Sequence, residues 1–142
     1  MKKILIASDH AGYELKEFIK KYLIKKNKLI KDLGPFKKIK VDYPDYAHKL
    51  SKKLIKHNNF AAGILVCGSG TGMAITANKH RKIRAALCYD LKSAKLSRLH
   101  NNANVITLGS RLINRNTAIK CVNIFLTTKF EGGRHTKRIK KI

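Results

Sequence analysis

Residues 63–78 read Gly-Ile-Leu-Val-Cys-Gly-Ser-Gly-Thr-Gly-Met-Ala-Ile-Thr-Ala-Asn. The apolar run from Ile64 to Val66 is short and rich in strand-forming residues, which is typical of a strand buried within a sheet. The sequence then breaks at alternating glycines and resumes with Met73 to Ala77, mostly apolar residues that suit a helix packed against a sheet. The segment therefore predicts a strand, a glycine loop and a helix in succession.

The loop after this strand, residues 67–72, has the features of an anion-binding turn. Glycines at alternate positions let the backbone bend sharply and approach a ligand closely. The loop N–H groups and the positive end of the next helix would attract negative charge, and the same field would favour a thiolate at Cys67. The glycine spacing matches neither the dinucleotide fingerprint nor the phosphate loop of nucleoside triphosphatases. A tight turn that binds no ligand is therefore the alternative.

The composition is that of a globular chain with a strongly basic surface. Of the 142 residues 44% are hydrophobic, and the formal net charge is +24. Lysines supply most of the positive charge and are scattered over helix faces, Lys16, Lys20 and Lys21 among them, without interleaved aromatic residues that could stack on bases. We therefore expect non-specific adhesion to polyanions at low salt but no specific nucleic-acid partner. A basic nucleic-acid-binding module remains the alternative class of function.

No apolar run approaches the roughly 20 residues that a membrane span requires, so no membrane partner is expected. The first residues resemble the charged and apolar parts of a signal peptide. Because the apolar part is short and acidic Asp9 follows directly, we interpret this start as a first strand. A cytoplasmic location is the default expectation.

The cysteines and histidines give no metal-binding or disulfide pattern. Cys67, Cys88 and Cys121 are widely spaced, and no group of His, Cys, Asp or Glu has ligand spacing, so neither a metal ion nor a disulfide framework is expected. Cys88 and Cys121 are interpreted as buried thiols. His48, His57 and His80 are interpreted as surface histidines, whereas His135 is left open.

Hydrophobic periodicity predicts strands and helices that alternate five times along the chain. The predicted strands cover residues 3–8, 28–33, 64–66, 83–88 and 104–108. The predicted helical patterns cover residues 15–23, 46–56, 73–77, 90–99 and 116–128. This alternation predicts a single α/β domain, residues 1–142, with a parallel sheet covered by helices on both faces.

Ligands of such sheets bind at the carboxyl ends of the strands. Several polar segments follow predicted strands and should share this edge: Asp9-His10, residues 67–72, Tyr89-Asp90 and Ser110-Arg111. His100 ends a helix that runs back, so it should lie at the opposite edge. It is either a helix cap, which its position alone favours, or part of a neighbouring subunit's site. Asp9-His10 could likewise be only a capping turn.

A set of motifs along the chain is similar to that of the type B ribose-5-phosphate isomerases, within the wider ribose/galactose isomerase family. These motifs are Asp9-His10-Ala11-Gly12, Asp42-Tyr43-Pro44, Cys67-Gly68-Ser69-Gly70-Thr71-Gly72, Ala77-Asn78-Lys79, Ile83-Arg84-Ala85, Ser97-Arg98-Leu99-His100-Asn101, Leu108-Gly109-Ser110-Arg111 and Glu131-Gly132-Gly133-Arg134-His135. The resemblance spans essentially the whole chain. It implies a three-layer Rossmann-like fold with a five-stranded parallel sheet, and a homodimer or dimer of dimers whose sites are shared between subunits. It also implies that there is no metal and no cofactor.

The resemblance further implies interconversion of ribose 5-phosphate and ribulose 5-phosphate through an enediolate. A six-carbon aldose 6-phosphate isomerase, for galactose or allose 6-phosphate, is the alternative within the class. Cys67 corresponds to the base and His100 to the ring-opening acid/base, while Ser69 can hydrogen-bond within the catalytic group. Other residues correspond to substrate contacts: Asp9, His10, Gly68, Ser69, Gly70, Thr71, Gly72, Asn101, Arg111, Arg134 and Arg138.

The tail, residues 130–142, would supply the last two arginines to the substrate phosphate; a solvated basic tail is the alternative. Some members of the family use a glutamate shortly after the glycine loop as the base. Residues 73–76 contain no carboxylate here, so the step would be left to Cys67.

Overall fold

The computed structural model describes residues 1–142 as a parallel sheet between two layers of helices. The strands are β1 (Lys3–Ser8), β2 (Ile30–Asp32), β3 (Phe60–Cys67), β4 (Ala85–Leu87) and β5 (Val105–Gly109). The helices are α1 (Tyr13–Lys25), α2 (Tyr43–Lys56), α3 (Thr71–Ala77), α4 (Leu91–Asn101), α5 (Arg115–Thr127) and α6 (Arg134–Ile139). The five strands lie in the order β2-β1-β3-β5-β4, and each pairing is parallel. The predicted α/β, Rossmann-like fold is therefore confirmed.

The sheet is buried on both faces because its central strands are apolar at successive positions. Neighbouring side chains of a strand point to opposite faces. Ile64 of β3 accordingly belongs to a cluster that includes α1, α4 and α5, whereas the next residue, Leu65, belongs to a second cluster that includes α2 and α3. Both side chains are fully buried. Each contributes about 1.5–3 kcal/mol relative to an exposed position, so these two clusters fix the layers that carry the loops.

The boundaries of several elements differ from the sequence-based predictions. α2 begins at Tyr43 rather than at Tyr46, because Pro44 occupies the first turn, where proline is tolerated and its fixed φ suits the helix. β3 begins at Phe60, which pairs with Lys3 of β1, and is therefore longer than the predicted run. β2 and β4 contain three residues each and lie at the two edges of the sheet.

The short helix α6 was not predicted. It follows two glycines with left-handed backbone, Gly132 and Gly133 (φ 73° and 54°), and His135 is its one buried residue. Such a helix has no apolar stripe for periodicity to detect. It packs against α4, and the Glu131 N–H just before it donates to the Leu99 carbonyl at 3.1 Å. None of the helices combines the length and apolar character that crossing a membrane would need.

Lys16 lies inside the protein, not on a solvated helix face as its position in a basic helix led us to expect. Its side chain is fully buried, and Nζ donates to both carboxylate oxygens of Asp32 and to the Pro35 carbonyl, at 2.8–3.0 Å. Burial would raise the pKa of Asp32, but hydrogen bonds from Lys16, Lys20 and the Gly34 amide together hold it below its usual value. This cluster ties α1 to the segment that leads from β2 towards α2.

His48 and His80 contact each other and are half-buried, which corrects their interpretation as surface histidines. Nδ1 of His48, on α2, lies 2.8 Å from Nε2 of His80, just after α3. Burial lowers the pKa of His80, and the nearby His48 and Lys52 lower it further. The folded chain therefore resists protonation of His80 more than the unfolded chain does.

We expect this pair to make folding sensitive to acid. The unfolded chain takes up a proton on His80 near pH 6.5, whereas the folded chain does so only at lower pH. Between those two pKa values the unfolded state binds more protons, so stability falls as pH falls below about 6.5. His80→Gln should flatten the fall in melting temperature between about pH 7.5 and 5.5. His57→Gln, at an exposed histidine, is the control; equal slopes in both variants and the parent would contradict the assignment.

Candidate active site

The ends of three neighbouring strands form a cleft at one edge of the sheet. The register pairs Ser8 of β1 with Val66 of β3, and Cys67 of β3 with Gly109 of β5, so these strands end at one level. The segments that follow them enclose a cavity of about 380 Å³. Its lining residues are Asp9, His10, Ala11, Tyr43, Cys67, Gly68, Ser69, Gly72, Arg111 and Leu112. Most of the residues expected at this edge therefore meet in one place.

Cys67 is held by the loop that follows it. Its side chain is 4% exposed, and Sγ accepts a hydrogen bond from the Gly70 N–H at 3.0 Å. Gly70 has φ 78°, a left-handed conformation that a residue with a side chain adopts only with strain, and this turn directs the amide back to the sulfur. An N–H that points at sulfur stabilises a thiolate more than a thiol. The cleft therefore contains a buried thiol whose sulfur accepts a hydrogen bond from its own loop.

Backbone donors of the glycine loop lie free beside this thiol. The Thr71 N–H donates to Ser69 Oγ at 3.3 Å, whereas the N–H groups of Ser69 and Gly72 donate to no acceptor within the chain. A Cβ at Gly68 would lie 2.7 Å from Nη1 of Arg111, so the guanidinium packs directly on the loop. Free amides next to a guanidinium suit the recognition of anionic oxygen atoms.

Asp9 and His10 reach the cleft from the end of β1. Oδ1 of Asp9 accepts a hydrogen bond from the Gly12 N–H at 2.9 Å, so Asp9 closes the turn that precedes α1, and it also lines the cleft. Nδ1 of His10 lies 3.1 Å from the carbonyl oxygen of Val41 and 3.3 Å from its amide nitrogen. This contact anchors the imidazole to the segment before α2, and Nε2 makes no hydrogen bond within the chain.

Tyr43 lines the cleft, although it was assigned no catalytic or substrate-binding role from the sequence. Its ring packs on the glycine loop so closely that a Cβ at Gly72 would lie 2.5 Å from a ring carbon. Tyr43 belongs to Asp42-Tyr43-Pro44, one of the motifs that resemble the family. The sequence does not show, however, that the Tyr43 ring packs on the glycine loop. Ala11 and Leu112 also line the cleft without having been predicted. Gly70 and Thr71 shape the loop without lining the cavity.

Tyr89 and Asp90, which were predicted for this edge of the sheet, lie apart from the cleft. Tyr89 and Asp90 follow the edge strand β4, and Asp90 instead caps α4, where Oδ1 accepts a hydrogen bond from the Ser93 N–H at 2.6 Å. The carboxyl-end rule predicts the correct edge of the sheet for them. It does not predict the lateral distance from the central strands to a strand at the edge.

A second group of predicted residues lies at the opposite edge of the sheet. Arg84, immediately before β4, donates from Nε to the carbonyls of Asn101 and Asn102 at 3.0 and 3.1 Å. His100, in the last turn of α4, therefore lies where strands begin, whereas the cleft lies where strands end. Arg134 and Arg138 belong to α6, which packs against α4. Within one chain, Cys67 and His100 are consequently not brought together.

His100 is part of a compact cluster with Glu131 and His135. The two imidazole rings stack with centroids 4.3 Å apart and an angle of 17° between their planes. Oε2 of Glu131 lies 3.9 Å from Nε2 of each histidine. Nε of Arg134 donates to Nε2 of His135 at 3.4 Å. Burial lowers the pKa of His135, and the charges of His100 and Arg134 lower it further, so this ring is neutral near pH 7.

This cluster corrects the expectation that no group of metal-ligand residues exists. His100, Glu131 and His135 bring three potential ligand atoms within 4.8 Å of one another, although the residues are distant in sequence. Two features oppose a cation there. Arg134 brings a positive charge and occupies Nε2 of His135, and the face-to-face rings do not direct their nitrogen lone pairs to a common point.

Comparison with known proteins gives whole-chain similarity to sugar-phosphate isomerases. A model of the Ribose/Galactose Isomerase family matches residues 4–142. A ribose 5-phosphate isomerase structure from Thermotoga maritima is 50% identical with a TM-score of 0.96, and the match covers 99% of this chain and 96% of that one. The structure of ribose-5-phosphate isomerase B from Mycoplasma genitalium with bound ribulose-5-phosphate is 44% identical with a TM-score of 0.93, covering 98% and 92%.

A curated relative agrees with the structures. The probable ribose-5-phosphate isomerase B of Mycoplasma pneumoniae is 46% identical over 140 residues, which are 98% of this chain and 91% of that protein. The family model and both structures likewise cover nearly the full chain, as the sequence motifs had indicated. The chain is therefore an isomerase that belongs to the ribose/galactose isomerase family.

Proposed function

We propose that the chain interconverts ribose 5-phosphate and ribulose 5-phosphate through an enediolate, with Cys67 as the base. The observation that carries this proposal is the Cys67 thiol, hydrogen-bonded by the Gly70 amide, in a cleft that also contains His10 and Arg111. Proteins that are named ribose-5-phosphate isomerases are similar to this chain over nearly its whole length. Such a reaction is a step of the non-oxidative pentose phosphate pathway, which we expect to run in the cytoplasm.

The proton transfer needs a base beside the carbon next to the carbonyl. A thiolate within about 3 Å of that carbon can take the proton and return it to the neighbouring carbon, which converts aldose into ketose. Charge then develops on the carbonyl oxygen, and preorganised donors stabilise it. The free N–H groups of Ser69 and Gly72, with the Ser69 hydroxyl, are the donors that the loop offers next to Cys67. Neither step calls for a metal ion or a cofactor.

The phosphate of the substrate calls for guanidinium groups, which match its oxygen atoms in pairs. Arg111 and His10 would contribute from the chain that provides Cys67, with Asp9 and the Gly68–Gly72 loop contacting the sugar. Arg134 and Arg138 would contribute from the tail, residues 130–142, of a second chain. In this proposal residues 1–142 of each chain act as one unit, and the tail is part of the site rather than a solvated appendage.

A second copy of the chain completes the proposed site. His100 and Asn101 lie at the edge of the sheet opposite the cleft, which supports the proposal that they act on a sugar held by another chain's Cys67. In a symmetric dimer the same two surfaces meet twice, and each cleft receives the partner's His100 region. We therefore propose a homodimer, or a dimer of dimers, whose catalytic centres each combine Cys67 of one subunit with His100 of the other.

The experiment that tests the function is a turnover assay on the purified chain. Ribose 5-phosphate, galactose 6-phosphate and allose 6-phosphate should be offered separately, and ketose formation measured before and after dialysis against a chelator. We expect the highest kcat/KM for ribose 5-phosphate, unchanged by the chelator. A preference for a six-carbon substrate would support the alternative within the family.

The same preparation tests the remaining alternative. Binding to a DNA duplex should be titrated with salt, because counterion release makes a merely electrostatic attraction fall steeply as salt rises. We expect the +24 charge to give binding at low salt that is lost at about 150 mM. Tight binding at that salt concentration without turnover of any sugar phosphate would refute the proposed function in favour of a nucleic-acid-binding module.

A further inference from the structure

The ring of the buried residue His135 stacks on the ring of His100. The His135 side chain is 6% exposed, whereas the His100 side chain is 36% exposed, so one ring of the stack is fixed within the protein and the other reaches the surface. A stacked contact with ring centroids 4.3 Å apart limits the rotation of the exposed ring. The position of the His135 ring thereby limits the positions that the His100 ring can adopt.

His135 is in turn fixed by its own contacts. Because its ring is neutral, Nε2 can accept the hydrogen bond from Nε of Arg134, and the ring proton is then on Nδ1. The negative charge of Glu131 lies equally close to both rings, 3.9 Å from each Nε2, and its backbone is hydrogen-bonded to α4 at Leu99. The Glu131 carboxylate therefore lies beside the imidazole of His100, which reaches the surface, as well as beside the buried ring of His135.

We propose that His135 is a positioning residue for the ring-opening step: it aligns His100 and links it to the phosphate-binding Arg134. This inference rests on the proposed function, in which His100 opens the furanose ring and Arg134 contacts the phosphate. The stack then joins two parts of the substrate-binding surface through one buried ring. Misalignment of an acid/base group by about 1 Å is enough to slow its step substantially.

The test measures opening of the furanose ring separately from proton abstraction by Cys67. In D2O, ribulose 5-phosphate exchanges a C1 hydrogen with solvent when Cys67 forms the enediolate and returns a deuteron to C1, and no ring needs to open or close. Net conversion to ribose 5-phosphate requires the ring step as well. The ratio of C1 exchange to net conversion, measured by NMR, therefore reports on His100 and its support, and a general loss of folded enzyme leaves this ratio unchanged.

Two substitutions at His135 test whether a flat buried ring is what positions His100. His135→Ala should lower net conversion about tenfold while C1 exchange is largely retained, so that the ratio rises. His135→Phe keeps a flat buried ring for His100 to stack on and should restore most of the net rate. His57→Ala, at an exposed histidine that packs on Phe60, is the control and should leave both rates unchanged.

The outcomes keep this inference separate from the proposed function. If the parent enzyme isomerises ribose 5-phosphate and His100→Asn raises the exchange ratio, the function stands. The inference is then overturned if His135→Ala leaves the ratio unchanged, or if His135→Phe behaves like His135→Ala. If the parent enzyme does not convert the sugar at all, the proposed function fails and the inference fails with it.

Discussion

Cys67→Ala should lower kcat for aldose–ketose conversion by about 10³-fold, the contribution expected of a positioned general base. This loss corresponds to about 4 kcal/mol of transition-state stabilisation. In the loop after β3 the other side chain that lines the cleft is Ser69, whose hydroxyl is a much weaker base, and residues 73–76 offer no carboxylate to replace the thiolate. KM should change little, because the loop backbone and Arg111 remain. Both net conversion and C1 exchange of ribulose 5-phosphate should be lost together, since both require the enediolate.

Cys88→Ala is the matched control, because it removes a buried thiol outside the cleft. Burial raises the pKa of Cys88 to about 11, and burial likewise raises the pKa of Cys121, so neither is a thiolate near neutral pH. Cys88→Ala should retain kcat even if it lowers the melting temperature. Alkylating reagents should modify Cys67 first, and bound substrate should slow that reaction. Near-normal turnover by Cys67→Ala would mean that another group abstracts the proton.

His100→Asn should lower net conversion about 10²-fold while C1 exchange falls much less. The imidazole would move the proton that opens or closes the furanose ring, whereas an asparagine side chain can hydrogen-bond but cannot carry that proton. The equilibrium constant fixes the ratio of kcat/KM in the two directions, so both directions should slow equally. The exchange reaction therefore gives the discriminating measurement.

His57→Asn provides the control for this substitution, because His57 is exposed and contacts only Phe60 among the aromatic rings. It should leave both rates at their original values. If His100→Asn lowers exchange and net conversion in the same proportion, His100 would act in proton abstraction or in substrate binding, and the separate ring-opening role would be wrong.

The fold was predictable from local pattern because its central strands are apolar at successive positions. β1 matches its prediction at both ends, since Lys3 and Asp9 border a continuous apolar run. Helix α6 was not predicted because it has no such apolar run. It is short and mostly charged, and its one buried side chain is a histidine. Its stability comes from packing against α4, a tertiary contact that periodicity does not encode.

The site was predictable only in part, for a similar reason. The rule that ligands bind at the carboxyl ends of strands was sufficient to group Asp9, His10, Cys67 and Arg111, because β1, β3 and β5 are neighbours in the sheet. It could not group His100 with Glu131 and His135, since that cluster depends on how the tail docks on α4. The lysine-rich composition also hid Lys16, whose burial depends on its contacts with Asp32 and Pro35.

The central claim, a catalytic centre built from Cys67 of one subunit and His100 of another, is tested most directly by mixing inactive variants. Cys67→Ala and His100→Asn chains should be combined in equal amounts, and the formation of hybrids verified with a tag on one variant. Half of the randomly formed dimers are hybrids, and one of the two sites in each hybrid carries both original residues. We expect recovery of about a quarter of the original activity. No recovery despite verified hybrids would contradict it, because His100 would then act in its own chain's site or in none.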